Sequence, residues 1–265
     1  NVAGLYEDMS AYDKALPLSR RTLQIREKAL GPEHPETGSV LNNLAGLLQA
    51  MGMYNQALPL YQQALQIREK ALGAEHPGTA LSLNNLAGMH RALGAYEKAL
   101  PLYKQALTVR EKVLGPEHPA TATSLNNLAE LYDYVGAADK ALPLYQRALA
   151  IHEKALGPEH PRTAVSLNNL ALHHKDLGAY DQALPQYEKA LKIRETRLGP
   201  AHPDTLASLN NLAGLYRAMG ALDQALPLYE RVLQATEKSL GPDHPHTRTC
   251  AGNLGILYVD RKNYQ

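Results

Sequence analysis

The pentapeptide Leu-Asn-Asn-Leu-Ala stands at 41–45 and returns at 83–87, 125–129, 167–171 and 209–213, always 42 residues on. Gly31, Gly73, Gly115, Gly157, Gly199 and Gly241 keep the same step. A fixed period of this size demands a stack of one small unit, because a unit this short cannot bury its apolar face alone and must lie against the next copy. The period also narrows function. A stack offers a long repeated surface, whereas an active site gathers several different groups at one place.

Residues 35–72 display one unit most clearly. Pro35 suits the first position of a helix, where its missing N–H would be unpaired anyway. Leu41, Leu44, Ala45 and Leu48 then fall on one helical stripe, and Gly52 provides a left-handed cap. A second helix starts near Tyr54, with Ala57, Leu60, Tyr61, Ala64, Leu65 and Leu72 as its stripe, and Gly73 stops it. No Ser, Thr, Asp or Asn caps its start in most units. Strand signals are missing, and Ala, Leu, Gln, Glu, Lys and Arg dominate. The expected fold is all-α: an α-solenoid of antiparallel helix pairs repeating every 42 residues. The copies fall at 35–76, 77–118, 119–160, 161–202 and 203–244, with partial copies at 1–34 and 245–265, as one array over 1–265.

Composition removes several function classes. The net charge of +1, from 27 basic and 26 acidic residues, supports neither a nucleic-acid face nor a polybasic membrane patch. No apolar run approaches the roughly 20 residues that span a bilayer, and no signal peptide is visible. The single cysteine, Cys250, aligns with Ser208, Ser166, Ser124 and Ser82, so it reads as a small buried residue. With no disulfide framework, the chain suits a reducing, cytoplasmic compartment. Tyr occurs 15 times while Phe and Trp are absent, so Tyr fills the large aromatic positions.

Pro17, Pro59, Pro101, Pro143, Pro185 and Pro227 recur near the start of the second helix. Each removes one backbone hydrogen bond. On a helical wheel Pro59 lies opposite Ala57 and Tyr61, which predicts a solvent-facing proline that bends the helix slightly.

The small–aromatic–small set Ala57, Tyr61 and Ala64, with the first-helix positions Leu41, Leu44, Ala45 and Leu48, resembles the tetratricopeptide repeat. That family's usual unit has 34 residues and a Pro ending its second helix; Glu69 stands at that place, and the helix runs on. The longer unit resembles the repeats of kinesin light chains and their bacterial relatives. The likeness rests on Leu-Asn-Asn-Leu-Ala (83–87), Gly-Ala-Tyr (94–96), Ala-Leu-Pro-Leu-Tyr (99–103), Val-Arg-Glu-Lys (109–112) and Leu-Gly-Pro-Glu-His-Pro (114–119). The copies are more alike than in a typical light chain, which points to a bacterial relative rather than a transport adaptor. The resemblance implies a right-handed superhelix whose concave groove, lined by the first helices, binds peptides or partner proteins.

On the side of the first helix that faces the groove in that family stand Asn42, Gly46 and Gln49. Their counterparts are Asn84, Gly88 and Arg91; Asn126, Glu130 and Asp133; Asn168, Leu172 and Lys175; and Asn210, Gly214 and Arg217. An Asn amide both donates and accepts, so a constant Asn column can pair with any peptide backbone, and the glycines leave room for approach. The varied column then sets preference. Three of its five members are basic, which favours an acidic peptide. The alternative is that these amides and the adjacent Asn43, Asn85, Asn127, Asn169 and Asn211 form a ladder between neighbouring first helices and bind nothing.

Six histidines, His34, His76, His118, His160, His202 and His244, occupy successive linkers. They are too far apart to share a metal ion, and local hydrogen bonds that hold the linker are expected. His90 and His174 take the place of Tyr132 and Tyr216 and read as packing substitutes. Arg26, Arg68, Arg110 and Arg194 lie near the apolar side of the second helix, where the stem packs and the head reaches a carbonyl or carboxylate. His152 and Thr236 interrupt that column. No nucleophile–base pair, phosphate-cradling loop or cofactor motif appears, so no catalysis is expected. Asn1 aligns with Asn43 and Gln265 with Asn55, and neither end has a capping unit. A fragment of a longer array, able to stack head to tail, is the expectation. Two further readings stay open beside the peptide-binding scaffold: a purely structural, self-associating segment, and the regulatory array of a larger multidomain switch.

Overall fold

The computed structural model describes residues 12–263 of the chain. Among them are twelve helices and no strand. They are α1 (Tyr12–Leu30), α2 (Pro35–Ala50), α3 (Tyr54–Leu72), α4 (Pro77–Ala92), α5 (Tyr96–Leu114) and α6 (Pro119–Tyr134). The series continues with α7 (Ala138–Leu156), α8 (Pro161–Asp176), α9 (Tyr180–Leu198), α10 (Pro203–Ala218), α11 (Leu222–Leu240) and α12 (Pro245–Asn263). The expectations for Asn1 and Gln265 lie outside the described residues.

The chain divides between Leu144 and Tyr145 into two compact units. In the first, each helix from α1 to α6 packs on the next, and α2 also meets α4 as α4 meets α6. In the second, α8 to α12 pack in the same order, and α8 meets α10. The repeat is therefore a solenoid of helix pairs, with a first helix of 16 residues and a second of 19.

Two glycine turns make this geometry possible. The first helix of each pair closes with a Schellman turn: the Met53 N–H donates to the Leu48 carbonyl and the Gly52 N–H to that of Gln49. Gly52 takes φ of 73°, which a side chain would strain. Gly73, at φ 87°, ends the second helix and lets the chain turn into the next pair.

The linker histidines do more than hold a turn. Nδ1 of His76 accepts the Gly78 N–H at 2.9 Å, and His34, His118, His160, His202 and His244 do the same at 3.1–3.2 Å. Each is the N-cap of a first helix, satisfying an amide that has no partner in the helix itself. A threonine that the sequence reading passed over completes the linker. Thr37, Thr79, Thr121, Thr163 and Thr205 are fully buried, and each donates its hydroxyl to the carbonyl of the preceding helix-ending glycine at 2.8–2.9 Å. Replacing His76 by Ala should cost about 1 kcal/mol, and His76→Asn only a few tenths, in urea unfolding.

The first-helix stripe is buried as expected, with Leu41, Leu44, Ala45 and Leu48 at 4% exposure or less. In α3, Ala57, Tyr61 and Ala64 are buried too, but Leu60, Leu65 and Leu72 are only partly covered, while Ile67 and Arg68 go inside. A second helix is covered on two sides, by its own first helix and by the next one, so its buried arc is wider than one stripe. All six recurring prolines are exposed.

The arginine column is a buried staple. Arg68 of α3 donates through Nη1 to the Gly78 carbonyl at 2.9 Å and to Ser82 Oγ at 3.0 Å, and through Nη2 to Ser39 Oγ at 2.9 Å. It thereby ties α3 to α2 and α4. Arg110 and Arg194 repeat the bonds to the next helix. The interruptions change in pairs. His152 bonds Ser166 at 2.8 Å, and Thr236 meets the buried Cys250. Arg26 departs from the column: Val40 stands where Ser82 would be, and the guanidinium turns out to Glu36 at 2.9 Å.

Candidate functional site

The two leucines of Leu-Asn-Asn-Leu-Ala point into the helix stack, which leaves the two amides at its margin. They meet between consecutive first helices. Asn85 Nδ2 donates to Asn42 Oδ1 at 3.1 Å and Asn127 Nδ2 to Asn84 Oδ1 at 3.0 Å. In the second unit Asn211 pairs with Asn168 at 3.0 Å and Asn253 with Asn210 at 2.9 Å. The ladder weighed as an alternative thus exists. It takes the oxygen of the first-column amide and leaves the chemistry of its NH₂ group. Asn42, Asn84 and Asn126 are buried, whereas Asn168 and Asn210 are half-buried.

Gly46, Gly88 and Gly214 sit over tyrosine hydroxyls. A methyl group added at each would meet Tyr61, Tyr103 or Tyr229 Oη at 3.4–3.5 Å, an ordinary contact. Burial pushes the Tyr61 and Tyr103 phenols up to about 12. Burial also raises Tyr229, against the pull of Arg217. At the equivalent place before Tyr187 stands Leu172, and the Tyr187 hydroxyl is buried with no protein hydrogen-bond partner.

The varied column separates into distinct environments. Gln49 and Asp133 are half-buried. Arg91 of α4 forms an ion pair with Glu130 of α6, and its guanidinium lies 5.4 Å from the centre of the Tyr134 ring. Tyr134 in turn stacks on Tyr96 at 5.8 Å. Burial lowers the Arg91 pKa most, but the charge and hydrogen bond of Glu130, with Tyr103 and Tyr134 beside them, together outweigh it, so the net shift is upward. Arg217 Nε of α10 contacts Asp260 Oδ2 of α12 at 2.8 Å. Lys175 has a looser contact, 3.6 Å, with Asp176 of its own helix.

In the second unit these side chains converge. Lys175, Asn210 and Arg217 line one cavity of about 340 Å³, together with Tyr187, Tyr229 and Asn253. Residues that carry ammonium, guanidinium and amide groups line a single space, an arrangement suited to an anionic or carbonyl-bearing ligand group. The first unit brings Arg91 and Glu130 together with each other instead. Sequence reasoning missed Tyr187, Tyr229, Asn253 and Asp260. The tyrosines read as core residues. Asp260 aligns with Ala218, so the repeat pattern gave it no weight. Among the described residues no helix is long and apolar enough to cross a membrane.

Comparison with known proteins agrees with this architecture. The Tetratricopeptide repeat family matches residues 1–70, 37–112, 79–154, 134–196, 174–233 and 204–265. No curated protein matches the chain. Among solved structures, a kinesin light chain-like protein of Podosopora anserina with nearly identical TPR-like repeats is 31% identical, with a TM-score of 0.60 over 78% of this chain and 98% of that one. BtubC (BKLC) from P. vanneervenii shares the fold at 24% identity and a TM-score of 0.64, over 91% of this chain and 94% of that one. A thermophilic TPR protein of Thermus thermophilus shares it at 24% identity and a TM-score of 0.59, over 82% of this chain and 98% of that one.

Proposed function

We propose that this chain, which belongs to the tetratricopeptide repeat family, is a non-catalytic scaffold that binds an extended peptide or protein segment on the face of its first helices. Repeats of this family generally serve protein interaction. One observation carries the reading for this chain: Lys175, Asn210 and Arg217, from two consecutive first helices, line the same 340 Å³ cavity as two tyrosines. The donors there outnumber the acceptors, which favours ligand carbonyls and carboxylates and hence an acidic segment. The ladder supports the reading indirectly, since it holds the first-helix amides in register while using only part of their hydrogen-bonding capacity.

Selection of binders from a displayed random-peptide library tests this. Peptides so selected should protect α8, α10 and α12 amides from hydrogen exchange. Gly214→Leu should weaken them at least about tenfold, or about 1.4 kcal/mol, by filling the cavity. Leu172 holds the same repeat position, so the fold accommodates that side chain. Peptides that bind Gly214→Leu undiminished, or that protect only second helices, would refute the proposal. A chain that selects no peptide and only self-associates would support the structural alternative.

A further inference from the structure

Both arginines of the varied column are held by carboxylates that the chain itself supplies, and both pairs have the same construction. The cation stands on one first helix and the carboxylate on the next. Arg91 of α4 meets Glu130 of α6, and Arg217 of α10 meets Asp260 of α12 at 2.8 Å. The side chains are 24% and 35% exposed in the first pair and 38% and 31% in the second, so neither is a freely solvated surface contact. The two carboxylates do not derive from one repeated position. Glu130 aligns with Gly88 and Gly214, whereas Asp260 aligns with Ala218. Two different repeats therefore reach the same pairing by different substitutions. Lys175 differs. Its carboxylate contact is Asp176, one residue away, at 3.6 Å, and the Asp176 side chain is 62% exposed.

We propose that Glu130 and Asp260 are built-in competitors that mask Arg91 and Arg217 from acidic ligands, so that Lys175 is the cation an incoming carboxylate meets first. The proposal rests on the reading that the first-helix face binds a protein segment. The physics is that of a tethered competitor. A carboxylate fixed beside its cation acts at a high effective concentration, and a ligand carboxylate must displace it. A ligand whose only recommendation is charge therefore pairs with Lys175 alone. One that adds backbone or apolar contacts can also exchange with Asp260, whose partner Arg217 lines the same cavity as Lys175. The masks make the face selective for acidic segments that fit, rather than for any polyanion. Exchange of one ion pair for another is screened by salt, so the masking acts most strongly at low ionic strength.

The test uses the whole chain and two dye-labelled, terminally blocked peptide probes, one alternating Ser and Glu and one alternating Ser and Gln, followed by fluorescence anisotropy. Asp260→Asn and Glu130→Gln should each bind the acidic probe about three- to tenfold more tightly than wild type, leave the neutral probe unchanged, and lose the gain at about 1 M salt. Lys175→Ala should weaken the acidic probe in every background. Asp181→Asn is the control for net charge. It removes an equal charge from an exposed position of the second helix α9 and should change nothing. Saturable binding that Asp260→Asn and Glu130→Gln fail to strengthen, or that Asp181→Asn strengthens equally, would overturn the masking alone. Absence of binding by either probe to every variant would overturn both the masking and the scaffold reading beneath it.

Discussion

Arg68→Ala will destabilise α3 and α4 by about 3 kcal/mol. The guanidinium makes three hydrogen bonds, to Gly78, Ser82 and Ser39, in a place where it is only 6% exposed. Its removal takes the charged donor from the fully buried Ser82 hydroxyl, and such groups are costly when unpaired. Burial already lowers the Arg68 pKa, so the charge is held at an expense that only its partners offset. Repeat stacks do not always unfold in one step, so amide exchange in α3 and α4 is the appropriate readout, beside urea unfolding. The chain suggests its own rescue. Thr236 and Cys250 occupy the Arg and Ser positions of a later repeat, and the double change Arg68→Thr with Ser82→Cys should recover part of the loss. Equal stability of Arg68→Ala and wild type would show that the staple is dispensable.

The second large effect is alkaline unfolding of the first unit. Tyr61 and Tyr103 have phenols raised to about 12 by burial, against about 10 in an unfolded chain. The folded state holds the proton more tightly than the unfolded state. The stability these groups contribute is therefore intact below pH 10 and is lost as pH climbs from about 10 to about 12. Each two-unit gap amounts to about 2–3 kcal/mol at the upper end of that window. Tyr61→Phe with Tyr103→Phe should delay unfolding to higher pH, because the lysines titrate alike in both proteins. Tyrosinate absorbance and circular dichroism should move together in wild type. A double variant that unfolds at the same pH would exclude this mechanism.

The 42-residue step, Pro35 at a helix start and the stripe Leu41, Leu44, Ala45 and Leu48 follow from rules that act within one or two helical turns. Such rules are visible in any single copy. The histidines were legible as linker fixtures but not as N-caps, because Nδ1 meets the Gly78 N–H only after the linker has turned.

Period and helical spacing alone establish that the chain is a stack of helix pairs, and which side of each first helix carries amides and charges. What those groups touch is set by how the helices pack. Asn85 reaches Asn42, Glu130 reaches Arg91, and Asp260 reaches Arg217 across neighbouring copies. The reason is geometric. Helical periodicity sets which residues share a face, but the partner of a polar side chain depends on the offset between helices some 40 residues apart, and that offset is set by the packing of Ala57 and Tyr61 against Leu44, Leu48 and Leu86.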